Sequence, residues 1–309
     1  PHTDTDTSRS HSGRLFLWEN AMADSLANDI IGAENHLRSE RSDFEAMWRE
    51  IAEQIEPLST FNGTGAQSTA NRSKLAKQFN SRPGISLERA ASAAKSLLIP
   101  LGSHWHSLKP VDEDLVDNDE VKKYADTMRK RLFAWRYDGQ AGFQSAFGRA
   151  YMQLMAYGTP CVNIEEKFGG DAPFLYRFIP LSQVVFSVNA VGIEDTVYRK
   201  FPMTAKQMAQ DFGENKLSEP AKRALDDPKL RGEKHFTVIH AVYPKTSDKS
   251  RFAFDSVHID VDGKKVMKEG GSYEMSYLTS SFGRSDDQLP YGYSPGLRAL
   301  ADIKGAHHA

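Results

Sequence analysis

The spacing of apolar residues changes half-way along the chain, and this change most restricts the folds that the chain can adopt. In the first half, apolar residues recur three or four positions apart, as on one face of an α-helix. The second half gathers β-branched and aromatic residues into segments of five to ten residues between turn residues, which is typical of strands. The order predicts an α+β fold, with an N-terminal helical half followed by a β-rich half that contains short helices.

Capping and turn residues predict the element boundaries. In "SDFEAMWREIAEQIEP", Ser42 and Glu45 predict a capping box, Trp48 lies on the apolar stripe and Pro57 ends the helix. Further helices are predicted from near Pro83, after a cap at Asp117 or Asn118, up to an end at Gly158, between Thr204 and Gly213, and with Pro220 in the first turn. The remaining predictions are extended chain over residues 104–110, a type I′ turn at Asp262-Gly263 and a strand in "SYEMSYLTS".

The last twenty residues, "PYGYSPGLRALADIKGAHHA", predict a turn followed by a helix. Ser294 suits the N-cap and Pro295 the first helical position. Only about three turns of helix follow, and an isolated helix of that length is marginal in water. Either this helix docks on the rest of the chain, or the sequence is part of something longer. At the other end, residues 1–21 form a polar leader that we expect to be poorly ordered.

Composition excludes several classes of protein. Among 309 residues, 39 basic and 41 acidic side chains give a net charge of −2, which argues against a protein that binds DNA by neutralising many phosphates. The single cysteine, Cys161, excludes an intrachain disulfide, and no apolar run approaches the ~20 residues that span a bilayer. We therefore expect no membrane partner.

Motifs for chemistry are absent from the sequence. It has no phosphate-binding GxxxxGK[ST] loop, no GxGxxG after a strand and no GxSxG elbow, and Cys161 is expected to be a buried, small apolar side chain. The pattern predicts no catalytic residue, no cofactor and no metal ligand. A basic cluster at residues 129–136, "RKRLFAWR", could contact DNA or a partner, but the balanced net charge favours a solvated face.

Two alternatives stay open at this point. In a strand, His104 and His106 of "HWH" would face one side, which could suit a metal-dependent hydrolase that also uses an acidic residue, although no third ligand is identifiable from spacing. The other alternative is a structural adaptor that binds protein through the helical half and forms no ring.

Five collinear segments between Leu37 and Lys304 resemble the podovirus head-to-tail connector (portal) protein family. They are "SDFEAMWREIAEQIEPLSTFNG", "AASAAKSLLIPLGSHWHSLKP", "YMQLMAYGTPCVNIEE", "FIPLSQVVFSVNAVGIEDTVYRKFPMTAKQMAQDFG" and "YGYSPGLRALADIK". The positions that carry the resemblance are Trp48, Pro57, Gly158, Thr159, Arg199, Thr204, Gly213, Tyr291, Gly292, Pro295, Gly296 and Asp302.

The resemblance implies a structural subunit, not an enzyme, in a ring, expected to be a dodecamer, at one vertex of the virion capsid. Such a ring passes double-stranded DNA without sequence specificity during packaging and ejection. It contacts terminase, capsid or scaffold proteins and tail proteins, and is assembled in the host cytoplasm. The implied domains are the leader at 1–21, a helical wing part at 22–159, a β-rich wing part with inserted helices at 160–289, and a turn with the start of a stem helix at 290–309. The chain would thus be truncated near the start of the stem.

Overall fold

Two compact units make up the structure, a computed structural model that describes residues 25–56, 59, 61, 80–167, 173–230, 232–245, 251–284, 286 and 288–308. Unit 1 takes its described residues from the ranges 1–42, 183–189 and 194–275, and unit 2 from 43–182, 190–193 and 276–309. The predicted leader at 1–21 and Pro57 lie outside the described residues.

Eight helices occur among the described residues, and the chain is helical before it is β-rich, as the α+β prediction requires. They are α1 (residues 25–40), α2 (Ser42–Gln54), α3 (Arg82–Leu98), α4 (Asp119–Tyr137), α5 (Phe143–Tyr157), α6 (Ala205–Phe212), α7 (Glu219–Asp226) and α8 (Pro295–His308).

Several predicted caps are confirmed. The Asn118 side chain accepts hydrogen bonds from the first amides of α4, and Gly158 ends α5 with a left-handed φ of 86°. Pro220 lies in the first turn of α7, as predicted, and Ser218, which was not predicted as a cap, accepts a hydrogen bond from the backbone of Ala221 at the start of that helix. Ser42 is itself the first residue of α2, one position later than an N-cap would lie.

Eight strands form two antiparallel sheets. They are β1 (Cys161–Glu166), β2 (Phe174–Phe178), β3 (Val184–Val188), β4 (Glu194–Thr204), β5 (His235–Pro244), β6 (Phe254–Asp260), β7 (Lys265–Ser272) and β8 (Tyr277–Thr279). Unit 2 contains the order β2-β1-β8, and unit 1 contains β3-β4-β5-β6-β7. The predicted strand in "SYEMSYLTS" is present but only three residues long, and residues 104–110 belong to no strand.

The sheet of unit 1 is covered by helices on both faces. Successive residues of a strand point to opposite faces. Accordingly, Ile239 packs in a cluster with Ala27 and Ile30 of α1, whereas Val238 packs in a cluster with Met208 of α6. The sequence analysis did not predict α1, although its buried residues recur at helical spacing.

Polar contacts hold α1 on this sheet. The fully buried Glu34 carboxylate accepts hydrogen bonds from Nε of Arg38 at 2.6 Å and from Nζ of Lys200 on β4 at 3.0 Å. The buried Arg41 guanidinium donates to the carbonyl oxygen of Val184 on β3. A buried charge needs such partners, and removing one would leave the other uncompensated.

The β6–β7 connection corrects the predicted type I′ turn. A type I′ turn requires positive φ at Asp262 and Gly263, and neither has it; Lys264 does instead, with φ of 49°. The amide of Lys264 donates to the carbonyl of Val261 at 3.4 Å, which makes a four-residue loop. Gly263 is needed for space, because a Cβ there would lie 2.3 Å from the Cβ of Ser218.

Candidate functional site

The turn before α8 is held against the C-terminal end of α5, both within unit 2. We call this contact, made by residues 156–159, 281–284 and 288–297, the α8 junction. It contains six positions that carry the family resemblance: Gly158, Thr159, Tyr291, Gly292, Pro295 and Gly296. The structure thus brings together residues more than 130 positions apart in the chain.

Gly158 makes the closest backbone contact of the junction. A Cβ at this position would lie 2.3 Å from the carbonyl oxygen of Gly292, well inside van der Waals contact. The carbonyl oxygen of Gly158 accepts a hydrogen bond from the amide of Phe282 at 2.9 Å. Since φ is also 86°, both the conformation and the space favour glycine here.

Thr159 continues the contact with its side chain. Its Oγ1, in a fully buried residue, accepts a hydrogen bond from the amide of Gly292 at 2.9 Å. Its carbonyl oxygen accepts another from Nε2 of Gln153 at 3.2 Å. A hydroxyl side chain here satisfies a backbone amide that helix and strand hydrogen bonds do not reach.

Ser294 joins the start of α8 to the end of α5. Its Oγ donates to the carbonyl oxygen of Ala156 at 2.6 Å and accepts from the amide of Leu297 at 2.8 Å, which confirms the predicted N-cap. Pro295 is the first residue of α8, as predicted. A Cβ on Gly296 would lie 2.9 Å from the same Ala156 carbonyl, so the helix begins in direct backbone contact with α5.

An aromatic cluster packs beside the turn. Tyr291 lies edge-on to Trp48 of α2, with ring centroids 5.2 Å apart, and 5.4 Å from Phe44. Phe61 connects Trp48 to Tyr157 at the end of α5, at 5.4 and 5.0 Å. Tilted and edge-to-face pairs of this kind add about 0.5–1.5 kcal/mol each beyond burial.

Two titratable side chains, Tyr157 and Glu56, are hydrogen-bonded next to this cluster. The hydroxyl of Tyr157 lies 3.0 Å from Oε2 of Glu56 and 2.7 Å from Oγ of Ser59. Burial raises the pKa of the Glu56 carboxyl, and the hydrogen bond from Tyr157 offsets part of that rise. Burial, and then the Glu56 charge, raise the pKa of Tyr157 well above its ordinary value. The arrangement therefore keeps the tyrosine protonated.

Further along α8, Lys304 forms an ion pair with Glu50 of α2 at 2.7 Å. Both side chains are largely exposed, so the pair contributes at most about 1 kcal/mol. Asp302, another position of the resemblance, is exposed on the same helix. The main attachment of α8 is therefore its N-terminal end.

The remaining resemblance positions that the structure describes, Arg199, Thr204 and Gly213, lie in unit 1 and do not join the junction. Thr204 and Gln207 form a capping box at the start of α6, and Gly213 ends that helix with φ of 86°. Arg199 on β4 lies 4.1 Å from the centre of the Phe201 ring. Each has a local structural contact.

The histidines of the metal hypothesis pack on an aromatic side chain. The rings of His104 and His106 lie 4.4 and 6.2 Å from Phe133 of α4. Burial, followed by the charges of Arg136 and Arg129, lowers the pKa of His106. In the parts of the chain that the structure describes, no three His, Cys, Asp or Glu side chains are grouped to hold a metal ion.

Comparison with known protein families identifies the family of this chain. Residues 27–309 match the family described as "Bacteriophage head to tail connecting protein". This chain belongs to that family. The match includes every resemblance position and the whole α8 junction.

Two curated relatives of this chain are described as portal proteins. The "Probable portal protein" of Bordetella phage BPP-1 is 24% identical over 285 residues, which cover 88% of this chain and 49% of the relative. The "Portal protein" of Salmonella phage epsilon15 is 22% identical over 293 residues, which cover 92% of this chain and 51% of the relative. The chain thus spans about half the length of the curated relatives it matches.

The sequence analysis missed several residues that build the junction. Ala156, Tyr157, Phe282 and Glu56 contact the turn or its supporting cluster, and none was singled out. The small residues Ala156, Gly158 and Thr159 were a usable signal, because closely approaching backbones require small side chains. The turn at 290–296 was predicted, but its contact with residues 156–159 was not, since contacts at such separation leave no local pattern.

Proposed function

We propose that this chain supplies part of a phage portal subunit, which assembles as a ring at one vertex of the capsid. The observation that carries the proposal is the family match from residue 27 to residue 309, together with two relatives described as portal proteins. We further propose a dodecamer within the virion, assembled in the host cytoplasm, with terminase, capsid or scaffold proteins and tail proteins as its partners.

In this proposal the residues at 22–159 and 160–289 form the wing, and those at 290–309 the turn and the beginning of a stem helix. The α8 junction supports a mechanical role for that turn. Its hydrogen bonds are buried and its backbones touch directly, so the start of α8 is held in one fixed direction relative to α5. A fixed direction is what a ring needs if equivalent helices are to surround one axis.

Double-stranded DNA is the proposed cargo. The net charge of −2 suits a surface past which DNA moves, because each phosphate neutralised would add to the affinity and slow the movement. No helix in the described ranges has both the length and the apolar character needed to cross a bilayer.

Mass photometry with negative-stain imaging tests the proposal directly. The purified chain is measured over a dilution series at about 50 and 200 mM salt, since ionic contacts are screened over roughly 10 Å in this range. Closed rings with a central hole are the expected result. A monomer at every concentration, or open chains of variable length without closure, would overturn the ring assignment for this chain.

A further inference from the structure

Eight large apolar side chains are exposed in the region around α4. We call residues 97–137 of unit 2 the α4 arm. Within it, Leu97, Leu101 and Val111 have relative exposures of 82%, 67% and 102%. The other exposed large apolar residues of the arm are Leu98, Leu108, Leu115, Val116 and Tyr124. Contiguous apolar surface beyond a few hundred Å² is rare on monomers and marks interaction sites.

Helix α4 itself has no buried residue over its 19 positions. Its C-terminal half is held by the preceding segment: Nε1 of Trp105 donates to the Tyr137 hydroxyl at 2.9 Å, and His104 packs on Phe133. The opposite side, from Glu120 to Arg131, borders an open groove of about 390 Å³. Much of the helix thus lacks the tertiary packing that normally stabilises a helix of this length.

Charge is separated along the arm. Residues 112–120 contain six acidic side chains, no basic one, and all of these positions are exposed. The following helix carries six basic side chains at Lys122, Lys123, Arg129, Lys130, Arg131 and Arg136. Lys122 pairs with Asp117 at 3.3 Å, and Asp126 pairs with Arg129 and Lys130 at 2.5 and 2.7 Å, so the residues after position 120 keep a smaller net positive charge. Eleven residues of helix, from position 120 to 131, span about 16 Å at 1.5 Å per residue. That exceeds the Debye length of about 8–10 Å, so the two ends act as separate charges.

We propose that the α4 arm is a contact surface for a second copy of this chain, arranged head to tail. The acidic end at 112–120 of one copy faces the basic stretch at 129–136 of the next, and the exposed aliphatic residues of the arm become buried in the contact. A second copy of this chain is the partner, because it carries an acidic and a basic stretch that are separated by the same distance as those on the surface that it contacts. A head-to-tail contact is heterologous and can repeat around a closed ring. The inference therefore rests on the proposed function and names the surface that it uses.

Charge reversal at each end tests the arrangement. One variant carries Glu113→Lys and Asp114→Lys, and the other Lys130→Glu and Arg131→Glu. Each alone is expected to weaken self-association about ten-fold or more, because the first variant leaves residues 112–120 with a much smaller net negative charge and the second leaves residues 129–136 with no net charge. An equimolar mixture of the two variants is expected to regain association, since every second contact then joins an unchanged acidic end to an unchanged basic stretch, and the substituted positions carry opposite charges at the contacts between them.

The measurement is sedimentation velocity at about 50 and 200 mM salt, a range over which surface ion pairs are progressively screened. A matched control for the first variant, Glu214→Lys with Glu233→Lys, raises the net charge by the same amount on unit 1 and is expected to associate like the wild type. Association of the reversed variants at wild-type strength, or failure of their mixture to recover, would overturn the surface assignment. If the variants give either of these results while the wild type forms rings, the portal proposal stands and only this surface is rejected. A wild type that never associates would reject both.

Discussion

Replacing Gly158 by alanine tests whether the α8 junction holds unit 2 together. The added Cβ would lie 2.3 Å from the carbonyl oxygen of Gly292, and the residue would keep a left-handed φ of 86°. The left-handed conformation costs a non-glycine residue about 1–2 kcal/mol. Relieving the overlap requires backbone to move, and overpacking of this kind costs about 1–3 kcal/mol. We therefore expect unfolding free energy to fall by about 2–5 kcal/mol.

Urea unfolding followed by tryptophan fluorescence provides the assay, because Trp48 lies in the aromatic cluster beside the turn. With a slope of about 2–3 kcal/mol per molar urea, the midpoint is expected to fall by about 1–2 M. Gly305→Ala in α8 is the matched control, since no heavy atom lies within 4 Å of its added Cβ. It should leave stability unchanged or raise it by up to about 1 kcal/mol. A Gly158→Ala midpoint equal to that of Gly305→Ala would refute the reasoning.

Three further changes probe other contacts by the same unfolding assay. Ser294→Ala removes both the α8 cap and a buried hydrogen bond, and should cost about 1.5–3 kcal/mol; a loss below 0.5 kcal/mol would contradict the assigned contacts. Thr204→Ala removes one half of the capping box with Gln207 and should cost about 1 kcal/mol, with circular dichroism confirming that the fold is retained. The folded-state pKa of Glu56 is raised, so its burial penalty is absent below the unfolded pKa and complete above the folded one. Wild-type stability relative to Glu56→Gln should therefore fall as pH rises above 4.5, and a flat difference between pH 4 and 7 would contradict this.

Local signals predicted much of the fold correctly. Asn118, Thr204 and Ser294 were predicted as caps from their side-chain chemistry, and each accepts a backbone hydrogen bond in the structure. Gly158 was predicted as a helix end, and its left-handed φ agrees. These predictions succeed because a cap depends on residues within one turn of helix, which the sequence displays directly.

Predictions that depended on tertiary contacts were wrong or were not made. The Asp262-Gly263 pair indicated a type I′ turn, but Gly263 is instead needed because Ser218 lies so close. Helix α1 was missed although its apolar residues have helical spacing, since it follows a leader without any pattern. The α8 junction combines two stretches whose partners are set by the tertiary fold, and neither stretch indicates the other. The role of the resemblance positions as family features stays a prediction.

The attachment of α1 has a consequence for how this chain folds during synthesis. Arg41 bonds to the backbone of Val184, 143 residues later, and the other strands of that sheet are made later still. At about 5–20 residues per second, a ribosome needs on the order of 10–40 s to deliver those strands after α1 has emerged. During this interval the apolar stripe of α1 has no native partner, and Glu34 has Arg38 of its own helix but not Lys200. The nascent chain therefore passes through a stage in which α1 is a defined target for holdase chaperones.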